Sequence, residues 1–364
     1  KVYKGKNTLA ELSLLAEPTG LCYYHGEADG DRPPAIAVVA GPYIFIYRNL
    51  RPYYKFTAPL VAPSAREEEL WGRWRSDEVD AATLHSTLGQ AREEGERLGP
   101  LSNDFLSLSN QSHFVPFLDE RGGEPLSCTT SITCITTLQK SRNEPTAAVS
   151  LVVGTESCEI VMLEPPGTVI CKTRLGGVPA MMAAQGLFTV EWRVVVACRD
   201  SKIYTVKGGE GPGTAVVTGT VIELEASPCA LVRNDRQIYV ATTDNRLHSY
   251  HIKGKRNYTL DVGALITNLE VLSTRATTCL LVALSTGCVQ LYNNKTLVHT
   301  LFLEGREAVS AMRFGSFARE DNTLAIISVT GRLSIYMLNR KAQLSGAGGK
   351  GPVLPPEQDI PLKV

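Results

Sequence analysis

At 364 residues the chain is roughly twice an ordinary domain, leaving room for two domains or one large all-β or α/β unit. Its 37 Lys and Arg balance 37 Asp and Glu, so no summed field draws it to nucleic acid or to an anionic membrane. The composition is globular, 43% apolar and 20% charged, with no apolar run long enough for a membrane-spanning helix, and 31 Gly with 20 Pro suit the many tight turns of β structure.

The chain opens on Lys1-Val-Tyr-Lys-Gly5, which reads as half a hairpin, and sequence upstream of Lys1 is expected. Short aliphatic strands then recur, each followed by a polar or Gly turn and a second strand that often ends in Tyr. The pairs are 35–39 with 43–47, 149–153 with 159–163, 193–197 with 202–206, 237–241 with 246–250, 279–283 with 288–292, and 324–328 with 332–336. Measured at Tyr3, Tyr47, Leu163, Val206, Tyr250, Tyr292 and Tyr336, the steps are 44, 116, 43, 44, 42 and 44 residues. A step of about 43 is the length of a four-stranded propeller blade, whose faces are buried only by stacking on neighbours. The expectation is an all-β, seven-bladed β-propeller spanning 1–364, the listed pairs being second and third strands. First strands precede most pairs, as at 132–138, 178–182, 265–269 and 309–314, and outer strands follow, as at 169–173 and 297–302. Two β-sandwiches would also show short strands but no fixed step.

The step of 116 marks an α-helical insertion, 57–127, between the second and third repeats. Ser64-Ala-Arg-Glu67 is a capping box before a helix bearing Leu70, Trp71 and Trp74. Asp80 caps a second helix with Leu84, Leu88 and Ala91, and Ser102 begins a third, with Phe105, Leu108, Phe114, Phe117 and Leu118. These stripes are expected to pack on the propeller's flank; a dock for a partner subunit is the alternative. At the other end, 342–356 reads as a flexible loop before a terminal strand at 359–364 that would complete the last blade.

Nine scattered cysteines without a C-x-x-C pair argue against a disulfide framework or a Cys-rich zinc site and suit a reducing, intracellular compartment. G-x-x-x-x-G-K, H-E-x-x-H and G-x-S-x-G are all absent. Gly208-Gly-Glu-Gly-Pro-Gly213 lies between two strands and opens no helix. The rings of His248 and His251 point to opposite faces of a strand, and Asp29-Gly-Asp31 lacks the further oxygen ligands of a calcium loop. No catalytic, cofactor or metal residue is therefore assigned. The sequence beside the axis, Ser-Ala-Met, Pro-Ala-Met-Met and Ile-Thr-Asn-Leu, consists of packing residues, which disfavours a propeller enzyme with a channel site.

The strings Y-R-N-L-R-P-Y, at Tyr47 to Tyr53, and F-x-x-x-x-R-E-D-N-T-L, at Phe314 to Leu324, closely resemble those of the family of Bardet-Biedl syndrome protein number one, a BBSome subunit; Glu69-Leu-Trp71, Val153-Gly-Thr-Glu156 and Ala197-Cys-Arg199 agree. The likeness runs the whole chain and includes the insertion, while the family has a further stretch before Lys1 and continues past Val364. The resemblance implies a non-enzymatic adaptor in a coat-like complex that carries membrane proteins into and out of cilia. The implied partners are a GTP-bound Arf-like small GTPase, the other BBSome subunits and ciliary membrane-protein cargo. It further implies a cytoplasmic and ciliary location, with membrane met only indirectly, and no nucleic acid.

Blade geometry combined with that resemblance places the GTPase dock. Loops joining first to second and third to fourth strands emerge on one face. In the seventh repeat these are Phe314-Gly-Ser-Phe317-Ala-Arg319-Glu320-Asp321-Asn322 and Leu338-Asn339-Arg340-Lys341; the first repeat adds Lys4-Gly-Lys6-Asn7 and the second Arg48-Asn-Leu50-Arg51. Lys4, Lys6, Arg48, Arg51, Arg319, Arg340 and Lys341 would form a local basic patch on a neutral protein, with Phe317 and Leu50 as apolar anchors. A generic peptide- or cargo-binding surface is the alternative use of such loops.

Overall fold

A computed structural model describes residues 1–4, 7–14, 16–26, 33–144, 146–165, 167–211, 213–274, 277–317, 320–339 and 344, with the side chain of Lys4 excepted. Asp29, Asp31, Lys6, Arg319, Arg340, Lys341 and the expected strand at 359–364 lie outside the described residues.

The aliphatic, β-branched runs form antiparallel meanders that follow one another along the chain. A hairpin of β1 (Val2–Lys4) and β2 (Asn7–Ala10) comes first. The next sheet holds β3 (Pro18–Tyr24), β4 (Ala35–Ala40), β5 (Tyr43–Arg48) and β6 (Arg51–Thr57). After the helices come β7 (Ile132–Gln139), β8 (Val149–Thr155), β9 (Glu159–Glu164) and β10 (Thr168–Arg174), then β11 (Pro179–Leu187), β12 (Glu191–Cys198), β13 (Lys202–Gly208) and two short pieces, β14 (Ala215–Val217) and β15 (Ile222–Glu223). Those two meanders meet through one parallel pair, Leu187 opposite Gln139, which makes a nine-stranded sheet of them. Two more four-stranded meanders follow: β16 (Pro228–Asn234) to β19 (Arg256–Asp261) through β17 (Gln237–Thr242) and β18 (Arg246–His251), and β20 (Ile266–Ser273) to β23 (Thr296–Phe302) through β21 (Thr278–Leu284) and β22 (Cys288–Asn293). The last sheet has three strands, β24 (Val309–Phe317), β25 (Glu320–Ser328) and β26 (Leu333–Met337).

First strands of successive meanders lie against one another, β3 on β7, β7 on β11, β11 on β16, β16 on β20 and β20 on β24. The core is accordingly a series of clusters between neighbouring sheets. Val39, Ile44 and Ile46 meet Ile132, Val153 and Val161, and at the far end Ala283 and Val289 meet Met312, Leu324 and Ile326. Second and third strands are buried on both faces, which explains their near-continuous apolar reading. The outer strand of the β11 sheet departs from the expected single strand: the chain leaves the ladder between β14 and β15, where Thr218-Gly219-Thr220 supplies little to pack.

Four helices, α1 (Ala65–Arg75), α2 (Ala81–Glu93), α3 (Pro100–Leu106) and α4 (Phe114–Arg121), stand between β6 and β7. Ser64 and Asp80 cap α1 and α2 by accepting from the amides of Glu67 and Thr83. Three expectations are corrected here. The capping box is only half formed, because Glu67 turns inward, where its Oε1 accepts from the Gly99 amide at 2.8 Å and from the Ser102 hydroxyl. Ser102 therefore lies inside α3, whose N-cap is Gly99, and its Oγ accepts from Trp71 Nε1 at 2.8 Å. The apolar stripes do not cover the sheets: Trp71, Leu84, Leu88, Leu101, Phe105, Phe114 and Leu118 pack on one another as a core of their own. Amphipathic periodicity fixes which face is buried but not what buries it.

Candidate functional site

Antiparallel meanders put the turns after first and third strands at one end of each sheet, and the described members of the expected docking set lie at or beside such ends. Arg48 pairs with Arg51 across the β5–β6 turn, whose two tip residues, Asn49 and Leu50, have φ of 48° and 60°. This left-handed pair matches the twist of the flanking strands and normally takes Asn-Gly. Asn49 suits it, whereas Leu50 holds a conformation that costs roughly 1–2 kcal/mol for a side-chain-bearing residue. Beside it the Arg48 guanidinium lies 4.5 Å from the Tyr53 ring centre, Tyr53 and Tyr54 are exposed along β6, and the Lys55 ammonium covers Tyr43 at 3.5 Å.

The second group sits at the end of the last sheet. The stretch 314–322, expected as an open loop, is instead mostly strand: Phe314 pairs with Leu324, Gly315 with Thr323 and, past a bulge, Phe317 with Glu320. Alternating Phe, Gly and Thr with a Thr323 hydroxyl donating to the Gly315 carbonyl at 2.9 Å extends the hairpin almost to its tip. The Leu338 amide donates to the Asn322 carbonyl at 2.9 Å, which brings Asn339 alongside Asp321 and Glu320. Phe317 and Glu320 are half-buried, and Asp321 and Asn339 are exposed.

Phe317, Glu320, Asp321 and Asn339 are thus gathered on one sheet end and Arg48, Leu50 and Arg51 on another. Lys4 ends β1 opposite Asn7 in the short hairpin. Of the expected basic patch, only the side chains of Arg48 and Arg51 fall among the described residues, while Glu320 and Asp321 set acidic groups on the second sheet end. Tyr53, Tyr54 and Lys55, which the sequence reading did not include in the candidate set, lie beside these residues in the string Arg48-Asn-Leu-Arg-Pro-Tyr-Tyr-Lys55.

Elsewhere the chemistry is structural. Burial pushes the thiols of Cys134, Cys171 and Cys229 up to about 11 and that of Cys22 to about 12, so they stay protonated and weakly nucleophilic. His248 is buried between the hydroxyls of Thr242 and Thr259, at 3.1 and 3.0 Å, and desolvation moves its imidazole below the ordinary value. Among the described residues no group of three or more His, Cys, Asp or Glu is placed to hold a metal ion, and no helix is long and apolar enough to cross a membrane.

The family model described as ciliary BBSome complex subunit 1 matches residues 1–207. The chain is 34% identical over 360 residues to the BBSome complex member BBS1 of Mus musculus, covering 97% of this chain and 59% of that protein. The chain belongs to the BBSome subunit 1 family. The human BBS1 member is also 34% identical, over 100% of this chain and 60% of its own length, so the chain spans about three-fifths of these relatives. Among solved structures, a crystal of BBS1N in complex with ARL6DN, soaked with mercury, superposes with a TM-score of 0.72 at 33% identity, covering 94% of this chain and 86% of that one. Raptor of Chaetomium thermophilum, with a TM-score of 0.53 and 11% identity over 89% of this chain and 24% of its own, shares the fold alone.

Proposed function

We propose that this chain is a seven-bladed ring serving as a non-enzymatic adaptor of the BBSome, and that it docks a GTP-loaded Arf-like small GTPase on the turns named above. Recruitment of the complex to ciliary membranes for the transport of membrane proteins would follow from that contact. The observation that carries the reading is the likeness, across 94% of the chain, to a BBS1N protein crystallised in complex with ARL6DN. Strain retained at Leu50 and the aromatic and basic side chains around it support the same turns as the contact. The ring reading rests on two sheet faces. One face of the β3 sheet is buried against β7, but Leu21 and Tyr23 on the other are 69% and 61% exposed. The last sheet buries Ile326 toward β20 and leaves Ile327, Leu333 and Met337 open on its far side. Both open faces look away from their packed neighbour, and the β1–β2 hairpin, two strands short of a blade, belongs between them as the remaining blade.

The test is a pull-down with the GTPase loaded with GTP or GDP. Retention of the GTP form alone is expected, and a chain carrying Arg319→Glu with Arg340→Glu, or Arg51→Glu, loses it; Arg51 is exposed at its turn, so Arg51→Glu should melt unchanged, because exposed charges contribute little to stability. Equal binding by the variants would move the dock to the opposite face or to the outer strands of the same sheets.

A further inference from the structure

The gap between the β11–β15 meander and the β16–β19 meander is apolar along most of its depth, where Val195, Ala197 and Ile203 meet Ile238 and Val240. Toward the end where the β11–β12, β13–β14 and β16–β17 turns emerge, cations replace the aliphatics. Arg193 on β12 stands directly opposite Lys207 on β13, and strand alternation puts both side chains on the face that carries Val195, toward β16. Arg233 shares its face of β16 with Leu231, which packs in the same apolar cluster, so it points back at them from the other wall.

The Arg233 guanidinium is half-buried and fixed in place. Its Nε donates to the Asp235 carbonyl at 2.8 Å, and its Nη1 crosses the gap to donate to the Arg193 carbonyl at 3.1 Å. Both acceptors are main-chain oxygens, which leave its charge unmet. Three of its five N–H donors have no acceptor among the described residues. Burial and the adjacent Arg193 charge move its pKa below the ordinary arginine value, with Asp235 opposing them.

The carboxylates beside these residues in sequence are Glu191, 3.1 Å from Arg193, together with Asp235 and Glu210. All three are exposed, and among the described residues none forms an ion pair with Arg233 or Lys207. Comparable cations elsewhere are matched: Arg313 on β24 lies 3.4 Å from Glu270 on β20, Arg199 lies 2.8 Å from Glu156, and Arg246 lies 3.2 Å from Glu225. Like charges facing one another across a ladder destabilise it. Here that arrangement is kept, with two positive charges unmet, on a chain whose net charge is zero.

Two guanidinium groups and an ammonium with two unmet charges suit a dianion rich in acceptor oxygens. A phosphate monoester brings a charge of about −1.5 to −2 and three such oxygens, where a carboxylate brings one charge and two. A guanidinium already held by two carbonyls presents its free donors ready-placed, and the apolar floor strengthens their attraction. We propose that this gap binds a phosphate group, with Arg233 and Arg193 donating to its oxygens and Lys207 supplying the remaining charge. The site lies on different sheets from the β5–β6 and β24–β25 turns, so it is separate from the proposed GTPase dock.

Calorimetric titration of the full chain at constant ionic strength tests this, with inorganic phosphate and inositol hexakisphosphate as soluble probes. Flotation with phosphatidylcholine vesicles, with and without phosphatidylinositol phosphate, is the lipid arm. Arg233→Gln and Lys207→Gln should each weaken binding about tenfold or more. Without ligand, Arg233→Gln should melt no lower than the parent, because it relieves the repulsion at Arg193. Flotation only with the phosphorylated lipid assigns the group to a headgroup, and soluble binding without flotation assigns it to a free phosphorylated molecule; either supports the site. Absence of binding to every probe overturns the proposal. So does an equal loss from Lys295→Gln, an exposed cation on another sheet, or a lower melting point in Arg233→Gln with unchanged affinity, which would make Arg233 a clip between sheets.

Discussion

Ile326 offers the sharpest test of how the last sheet is built. It is 1% exposed at the centre of β25, paired across to Met312 and Ser334, and packed with Leu324 and Met312 against Leu281 and Ala283 of the preceding meander. Ile326→Ala deletes three carbons; transfer alone makes that about 2.4 kcal/mol at about 0.8 per methylene, and incomplete collapse of the cavity raises it into the range of about 2–5. Strands on both sides of the site are held in register by their own ladders, so collapse is restricted and the upper half of that range is expected. Against a total of about 5–15 kcal/mol the loss is large, and at about 2 °C per kcal/mol for a chain of this size it lowers the melting temperature by about 7–10 °C. Calorimetry checks the shift. Ile326→Arg places an unpaired charge in the same site, which costs more than the sheet can absorb, and should leave no soluble folded protein. Melting within about 1 °C of the parent for the alanine variant would refute the burial of this face.

Three further outcomes follow from particular contacts. Leu50→Gly relieves the left-handed strain at the β5–β6 tip, so melting should stay level or rise by up to about 1 kcal/mol equivalent while GTPase retention in the pull-down weakens; a fall in stability would show that Leu50 is there for packing. Ser102→Ala leaves Trp71 Nε1 without its acceptor and Glu67 with the Gly99 amide but without the hydroxyl donor, a loss of about 1–3 kcal/mol that tryptophan fluorescence should report as an earlier transition of the helices. His248 is held neutral by burial, with Arg256 adding to the effect, so below its ordinary value of 6.5 the unfolded chain binds a proton that the folded chain refuses; stability is therefore fully present above pH 6.5 and lost as pH falls from there toward the depressed folded value. Melting measured from pH 7.5 to 5 should fall less steeply in His248→Gln than in the parent.

The repeat was legible because propeller-like meanders write their period into the chain: each buried second and third strand is an apolar run with a turn at a fixed distance, and the strand bounds at β4, β17 and β21 lie within one residue of those read from the runs, while β25 starts four residues before its run. What was not legible were choices between equivalent burials. The stripe Trp71, Leu84, Leu88 could cover a sheet or another helix, and only the inward turn of Glu67 onto Gly99 and Ser102 decides for the helices. At the candidate site the residue types were readable but not the backbone. Phe317 and Glu320 look like loop residues because Gly315, Arg319 and Asn322 punctuate them, yet one bulge lets the ladder run on past Gly315.

The same logic connects the two ends of the chain. In a series of stacked sheets every interior face is buried by a neighbour, so the first and last full sheets each keep one apolar face that folding has not covered. Here those faces carry Leu21 and Tyr23 on one side and Ile327, Leu333 and Met337 on the other, and an exposed area of this kind is unstable unless something closes it. The β1–β2 hairpin offers Tyr3 and Leu9, both exposed, as the matching apolar surface. A hairpin is marginal alone and gains stability only by packing, so its own instability and that of the two open faces are relieved by one event. The ring proposed above is what this complementarity predicts: the hairpin would cover Leu21 and Tyr23 on one side and Ile327, Leu333 and Met337 on the other.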